Sequence, residues 1–182
     1  MTLYFTALVL PESLNARILP LKQYMYAEYG CRVGLNSPAH ITLLPPFKMD
    51  RSMEVELVRS IDEVSVSLQP FDVKTANFSA FPPRTLFIDV EVSPSLKKVK
   101  AASDHYFSTH PMLKVKIDTR PFHPHITIAT RDLNKKDFSA AWEHFRDKPF
   151  GEVWTATGIS ILRHNTKNWD VIHTSQFLDK AI

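Results

Sequence analysis

The segments PAHITLL at residues 38–44 and HPHITIA at residues 123–129 both contain His-Ile-Thr followed by an aliphatic residue. In a β-strand, side chains two positions apart point to the same face and lie about 6.5–7 Å apart. The histidine and threonine of each segment therefore share one face, and the two aliphatic residues share the other. The sequence predicts two strands that bury their aliphatic side chains and present an imidazole and a hydroxyl opposite. These four polar side chains are His40, Thr42, His125 and Thr127.

Strand and helix signals alternate along the rest of the chain, which predicts an α+β or α/β fold. The predicted strands span residues 3–10, 39–44, 71–81, 85–92, 124–129, 154–162 and 169–177. The predicted helices span residues 13–29 and about 52–68, with a third that starts at Ser93-Pro94 and a fourth that Asn134 caps. We expect Pro20 to kink or split the first helix and Pro45-Pro46 to end the first motif strand, because proline lacks a backbone N–H.

The positions of the two motifs indicate an internal duplication. His125 follows His40 by 85 residues in a chain of 182, and each lies at the same place in a strand–helix–strand–helix–strand series. A match of this kind predicts pseudo-twofold symmetry. We therefore expect a single domain of two lobes, roughly residues 1–84 and 85–182, with the motif strands side by side at their junction.

The composition of the chain excludes several classes of protein. The net charge of +3 is compatible with an anionic substrate but too balanced for a nucleic-acid coat. The single cysteine, Cys31, excludes an internal disulfide framework and favours a reducing compartment such as the cytoplasm. No apolar stretch approaches the roughly 20 residues of a membrane span, and neither membrane insertion nor export is expected. Four glycines leave no candidate for a glycine-rich phosphate loop.

Two imidazoles and two hydroxyls that converge on one point are the groups that metal-free phosphoryl transfer requires. One imidazole takes a proton from the nucleophile, and the other gives a proton to the leaving oxygen. Threonine hydroxyls can donate hydrogen bonds to the non-bridging phosphate oxygens. A single histidine in a strand is more often structural, but two matched copies in a pseudo-repeat favour catalysis. In the competing interpretation both motifs are structural, with the histidines hydrogen-bonded inside a sheet. It predicts that His40→Ala and His125→Ala lower stability and that neither selectively abolishes a reaction.

Residues 38–47 and 122–131 resemble the 2H phosphoesterases, a family that includes 2′-5′ RNA ligase-like proteins and cyclic nucleotide phosphodiesterases. The resemblance implies an α+β, bilobal, pseudo-twofold fold, with two antiparallel-containing sheets, helices packed outside, a central cleft and neither metal nor cofactor. Family members open 2′,3′-cyclic phosphates to 2′-phosphates, join RNA ends through a 2′-5′ bond, or cleave 2′-5′ linkages. The resemblance implies that His40 and His125 are the acid and the base, in an order that stays open.

The same resemblance implies that an RNA end or a nucleotide is the substrate, and the two halves of the site within one chain lead us to expect a monomer. A non-catalytic module that holds a nucleotide or RNA in the same cleft is the alternative. The intact pair of histidines and threonines argues against that alternative, because a binding protein needs no matched acid and base.

Five further residues are candidates for substrate binding: Arg131, Thr130, Phe47, Phe122 and His123. Arg131 could contact a phosphate or stack on a base, although some relatives carry an arginine one residue earlier, at the position of Thr130. The two phenylalanines could also stack on a base, but packing is the commoner role of such residues. His123 and His125 could ligate a metal only with a third ligand, and no zinc pattern is completed. Basic residues before the second motif, from Lys97 to Lys116, could guide an RNA end or form a solvated face.

Overall fold

The computed structural model describes residues 1–113 and 115–178, and these residues form eight strands and four α-helices. The strands are β1 (Thr2–Val9), β2 (His40–Met49), β3 (Phe71–Phe81), β4 (Thr85–Val90), β5 (His125–Ala129), β6 (Val153–Ala156), β7 (Gly158–His164) and β8 (Trp169–Gln176). The helices are α1 (Glu12–Tyr29), α2 (Glu54–Ser65), α3 (Pro94–Thr109) and α4 (Phe138–Phe145), with short 3-10 turns at Val33–Asn36 and Arg51–Met53. No helix in this part of the chain is long and apolar enough to cross a membrane.

The strands form two four-stranded sheets whose neighbours are all antiparallel, in the orders β2-β1-β7-β8 and β5-β4-β3-β6. In each sheet the motif strand is at the edge, and its neighbour is the strand that precedes it in the chain. The two sheets therefore share the placement of the motif strand and its neighbour, whereas the order of their other two strands along the chain differs. The α+β class predicted from the sequence is confirmed.

The boundary between the two sheets differs from the division at residue 84 that we expected. The first sheet combines β1 and β2 with β7 and β8 from the far end of the chain, whereas the second contains β3 to β6. The single strand predicted at residues 154–162 is also wrong, because the chain passes from one sheet to the other at Thr157. At Gly158 the chain runs so close to β8 that a Cβ would overlap the Ser175 carbonyl oxygen.

Neither proline site interrupts its element in the described residues, so a split of the first helix at Pro20 and an end of the first motif strand at Pro45-Pro46 are both wrong. Helix α1 continues through Pro20, which lies on its exposed side, so the helix is not split. Strand β2 continues through Pro45 and Pro46, opposite a register shift in its pairing with β1. An edge strand needs backbone hydrogen bonds on one side only, and a bulge leaves residues unpaired, so both prolines fit there.

Helix starts were predicted with mixed success. Ser93 caps α3 as expected, since its hydroxyl accepts a hydrogen bond from the Leu96 amide at 3.1 Å. Asn134 does not cap α4, which begins four residues later and follows Asp137. The turn between them forms through the backbone, where the Asp137 amide donates to the Asn134 carbonyl at 3.1 Å.

The hydrophobic core contains the aliphatic residues of both motif strands. Ile41, Leu43, Ile126 and Ile128 are all at most 1% exposed. The histidines and threonines between them are partly exposed, which is the alternation expected for strands with one buried face. Core packing thus fixes the direction in which the two motifs point.

Candidate active site

His40 is partly buried at the start of β2, where its ring lies 4.8 Å from that of Phe5, centroid to centroid. Its Nδ1 is 2.7 Å from the carbonyl oxygen of Pro38. A carbonyl only accepts, so Nδ1 carries the hydrogen and donates it. The remaining nitrogen, Nε2, is therefore the position at which the neutral ring can take up a proton.

His125 has the same arrangement at the start of β5. Its Nδ1 donates to the carbonyl of His123 at 2.7 Å, and its ring lies 5.3 Å from that of Phe81 and 4.9 Å from that of Phe87. In each motif the imidazole is thus oriented by the carbonyl two residues earlier in the chain. The repeated hydrogen bond extends the pseudo-symmetry from strand order to side-chain orientation.

The two motif strands belong to different sheets but contact one another where the sheets meet. The histidines are close enough for the charge of His125 to lower the pKa of His40. The prediction that the motif strands lie side by side at the junction is therefore confirmed in outline, although they share no ladder of hydrogen bonds.

The pKa of His40 is lowered to about 4, mainly by burial of the ring. The hydrogen bond to the Pro38 carbonyl opposes this shift, and the positive charges of Lys22 and His125 add to it. Burial disfavours the charged form of an imidazole because water no longer solvates it. His40 is consequently neutral at pH 7, with its Nε2 lone pair free to accept a proton.

The pKa of His125 is lowered as well, again mainly by burial. Here the hydrogen bond to the His123 carbonyl opposes the shift, the imidazole of His123 adds to it, and the carboxylate of Asp89 opposes it. Asp89 also lies 2.9 Å from Nε2 of His123. The charged neighbours of His40 thus only disfavour its protonation, whereas His125 has one neighbour that disfavours protonation, His123, and one that favours it, Asp89.

This difference breaks the pseudo-symmetry at one register position. Val9 of β1 pairs with His40, whereas Asp89 of β4 pairs with His125. An apolar side chain thus occupies the place opposite the first histidine, and a carboxylate occupies the equivalent place opposite the second. The two imidazoles are geometrically alike and electrostatically unlike.

Replacing Asp89 with asparagine is expected to lower the pKa of His125 below its value in the unmodified protein. The change removes the negative charge that favours the protonated ring and keeps nearly the same volume. The NMR titration of the His125 ring measures this shift directly. Asp72→Asn, an exposed carboxylate of β3 in the same sheet, is the matched control and should leave the titration unchanged. An equal titration curve in all three proteins would rule out the effect of Asp89.

Comparison with known proteins decides the family. The sequence pattern of the 2′-5′ RNA ligase superfamily matches residues 10–168. The chain belongs to this superfamily.

Two bacterial proteins are similar to part of the chain. It is 31% identical over 102 residues to OB1230 of Oceanobacillus iheyensis, which is named as a candidate phosphoesterase, across 56% of this chain and 57% of that protein. It is 25% identical over 105 residues to the RNA 2′,3′-cyclic phosphodiesterase of Bacillus subtilis, across 56% of both chains. The matched region thus spans little more than half the length of these curated relatives.

Solved structures share the fold along the whole chain. TT0787 of Thermus thermophilus superimposes with a TM-score of 0.69 at 19% identity, over 100% of both chains. LigT of E. coli in complex with 3′-AMP gives the same TM-score of 0.69 at 14% identity, over 98% of this chain and 99% of LigT. The bilobal 2H phosphoesterase-like fold predicted from the sequence is therefore confirmed.

The five candidates for substrate binding lie near the two motifs in the sequence, but their surroundings in the structure differ. Phe47 and Phe122 are partly buried and pack against the hydrophobic core. Thr130 forms a hydroxyl–hydroxyl hydrogen bond with Thr85 at 3.1 Å. Arg131 is exposed, with a left-handed backbone (φ 47°), and His123 is held by the carboxylate already described. Within the described residues, no cluster of three or more metal-ligating side chains is found.

The basic residues before the second motif differ in their surroundings. Lys97 and Lys98 are exposed on α3, and Lys116 is exposed beyond it. Lys100 pairs instead with Asp104 one turn further along the helix. Lys114, the remaining member of this predicted group, lies outside the described residues.

Sequence reasoning missed Lys22, which is only 5% exposed. It lies on the buried face of α1 between Ile18 and Met25, and its ammonium donates to the Ser37 carbonyl at 3.0 Å. The sequence contains a signal for this burial. Lys22 comes four residues after Ile18 and three before Met25, so it lies on the apolar stripe of the predicted helix. Lys22 also lines a pocket of about 520 Å³ beside the first motif, together with Ser37 and Trp169.

Sequence reasoning also missed Asp132, which follows β5. Its carboxylate accepts hydrogen bonds from the amides of Arg32 at 2.6 Å and Val33 at 2.9 Å, at the start of the 3-10 turn that precedes the first motif. These bonds join the end of the second motif strand to the segment that leads into the first. The relative position of the two motifs is thus fixed by polar contacts as well as by the core.

Proposed function

We propose that this protein is a metal-independent phosphoesterase that acts on a 2′,3′-cyclic phosphate or a 2′-5′ phosphodiester of RNA or a nucleotide. The observation that carries the proposal is the matched pair of imidazoles, His40 and His125, in which each Nδ1 is held by a backbone carbonyl and each Nε2 can exchange a proton. Membership of the 2′-5′ RNA ligase superfamily and the name of the Bacillus subtilis relative support the substrate class.

In the proposed hydrolysis, a water molecule attacks the phosphorus of the cyclic phosphate. One imidazole takes a proton from that water at Nε2 as the new P–O bond forms. The bond between phosphorus and the 3′ oxygen breaks, and the protonated Nε2 of the other imidazole supplies a proton to that oxygen. The product is a 2′-phosphate with a free 3′-hydroxyl. The enzyme regains its starting state when the two histidines exchange one proton with solvent.

Thr42 and Thr127 have a separate role in this proposal. Each shares the exposed face of its strand with the motif histidine, one side-chain repeat away. Their hydroxyls donate hydrogen bonds to the two non-bridging phosphate oxygens, which gain negative charge as the water adds. The phosphorus is thereby held between the two imidazoles.

The same groups can catalyse ligation, in which an RNA hydroxyl in place of water attacks the cyclic phosphate, the bond from phosphorus to the 3′ oxygen breaks and a 2′-5′ bond forms. The base takes the proton of that hydroxyl and the acid protonates the 3′ oxygen, as in hydrolysis, so ligation requires no further residue. Incubation of 2′,3′-cyclic nucleotides and cyclic-ended RNA with the protein in EDTA and ¹⁸O-labelled water distinguishes the outcomes. Hydrolysis places one ¹⁸O in a 2′-phosphate, whereas ligation yields a longer RNA without the label. Binding without either product would refute the proposed activity and favour the non-catalytic module.

The proposed mechanism predicts a bell-shaped pH dependence of kcat/KM with its optimum below neutral pH. One imidazole must be unprotonated and the other protonated, so the rate rises through one pKa and falls through the other. The pKa of His40 is lowered to about 4, and that of His125 lies below its ordinary value of about 6.5. We therefore expect the optimum of kcat/KM between about pH 4 and pH 6.5. Steady-state rates on a cyclic nucleotide at constant ionic strength measure this pH dependence. A plateau that extends above pH 8 would contradict the two-histidine mechanism.

A further inference from the structure

Lys22 is a buried cation without a buried anion to balance it. Its side chain is 5% exposed, and no carboxylate of the described residues lies within 4 Å of its ammonium. Its hydrogen-bond acceptor is a backbone carbonyl, that of Ser37. Burial lowers its pKa to about 8, which leaves it mostly charged at pH 7. A methionine would fill the same space without the cost of desolvating a charge, so packing alone does not explain a lysine here.

The hydrogen bond of Lys22 is placed next to the one that orients His40. The ammonium holds the Ser37 carbonyl at 3.0 Å, and the next carbonyl in the chain, that of Pro38, holds Nδ1 of His40 at 2.7 Å. A shift of the first carbonyl therefore shifts the second. The aliphatic part of Lys22 also lies close to Gly34, beside the backbone of β5. Lys22 thus stands where α1, the segment before β2 and the second motif strand meet.

The charge of Lys22 acts on the same histidine. The charged groups that face His40 are Lys22 from α1 and His125 from β5, whereas Phe5 and Val9 of β1 present uncharged side chains. A nearby cation disfavours protonation of an imidazole. Beside the second motif, the Asp89 carboxylate of β4 favours protonation of His125, and the His123 imidazole disfavours it.

We propose that Lys22 is a positioning residue that holds His40 through the Ser37–Pro38 backbone and keeps its ring unprotonated, so that His40 is the base and His125 the acid. This assignment rests on the proposed function. In the resulting step, Nε2 of His40 takes the proton of the attacking water, and Nε2–H of His125 gives its proton to the departing 3′ oxygen. When one proton is shared by the two rings, it resides on His125, the ring beside the carboxylate.

The test compares Lys22→Met, which keeps a similar volume and removes the charge, with Lys22→Arg, which keeps the charge. Lys74→Met, at an exposed position of β3, is the control. In Lys22→Met we expect the pKa of His40, followed by NMR without substrate, to rise by about one unit. The acid limb of kcat/KM should move to higher pH by the same amount. We also expect kcat to fall on the order of tenfold, because the base is less well placed, while KM stays within about twofold. Lys22→Arg should keep the acid limb of the unmodified protein, and Lys74→Met should match the unmodified protein throughout.

The two measurements separate this proposal from the proposed function. An unchanged His40 titration in Lys22→Met, in a variant that still unfolds cooperatively, overturns the role of Lys22 whether or not cyclic phosphates are turned over. A rise in KM with an unchanged pH profile overturns it too, because Lys22 would then bind substrate directly. A shifted titration in a protein that is inactive on every cyclic phosphate supports the electrostatic role and refutes the proposed function alone.

Discussion

Replacing His40 or His125 is expected to lower kcat/KM on a 2′,3′-cyclic phosphate by about 10²–10⁴-fold each. Each substitution removes the only Nε2 that can take or give the proton in its half of the reaction. Because the two imidazoles act as one unit, the double variant should be little worse than either single variant. Steady-state rates in EDTA, with the unmodified protein measured in parallel, give these ratios.

The choice of replacement separates chemistry from structure. Alanine removes the ring and also the hydrogen bond from Nδ1 to the preceding carbonyl, which is 2.7 Å long in both motifs. Asparagine has a side-chain N–H that can donate to the same carbonyl, but it has no group in place of Nε2. His40→Asn and His125→Asn should therefore stay closer to the unmodified protein in thermal unfolding than the alanine variants and remain as inactive.

His105→Ala is the matched control, since this histidine is exposed on α3. It should keep full activity. The interpretation that the motif histidines are structural predicts the opposite order, in which the alanine variants are unstable and the asparagine variants are active. An asparagine variant with nearly the activity of the unmodified protein would refute the two-histidine mechanism.

The motif strands were predictable from the sequence because the deciding physics is local. Alternation along a strand places Ile41 and Ile126 in the core and His40 and His125 on the other face, and the structure has this arrangement. Apolar spacing located all four helices, and Ser93 identified the start of one of them. Short-range patterns thus determined the elements and the direction of the candidate catalytic side chains.

Sheet membership was not predictable in this way. Residues 153–156 and 158–164 have similar strand signals, and only pairing with distant residues assigns them to different sheets. The tolerance of β2 for Pro45 and Pro46 depends on its edge position, which is a property of the whole sheet. The hydrogen bond of the buried Lys22 ammonium is to a carbonyl 15 residues away in sequence. Each of these features comes from contacts that no local pattern contains.

Gly34→Ala is expected to have the second largest effect, on stability and activity together. Gly34 lies in the 3-10 turn before the first motif and packs directly on the backbone of β5, where a Cβ would overlap the carbonyl oxygen of Ile128. Backbone atoms cannot rotate away as a flexible side chain can. Overpacking of this kind costs about 1–3 kcal/mol, which corresponds to roughly 2–4 °C in the unfolding midpoint for each kcal/mol in a chain of this size.

The loss of activity should exceed what this destabilisation alone produces. Ile128 is the neighbour of Thr127, so a shift of β5 moves the second motif relative to the first. Hydrogen bonds oppose a movement of the turn away from β5. The Asp132 carboxylate accepts them from the Arg32 and Val33 amides at 2.6 and 2.9 Å. A displacement of about 1 Å in a catalytic arrangement can lower the rate on the order of 10²-fold. We therefore expect kcat to fall well below that of the unmodified protein at a temperature where Gly34→Ala is still fully folded.

Gly151→Ala is the control that isolates the steric cause. A Cβ at Gly151 meets no atom within 4 Å, and the residue is exposed. Its free energy of unfolding should change by no more than about 0.5 kcal/mol, and a small gain is reasonable because alanine restricts the unfolded chain. If Gly34→Ala unfolds at the same temperature as Gly151→Ala and retains the same kcat, the turn accommodates the added methyl group without moving β5. The contact at Gly34 would then have no part in aligning the two motifs.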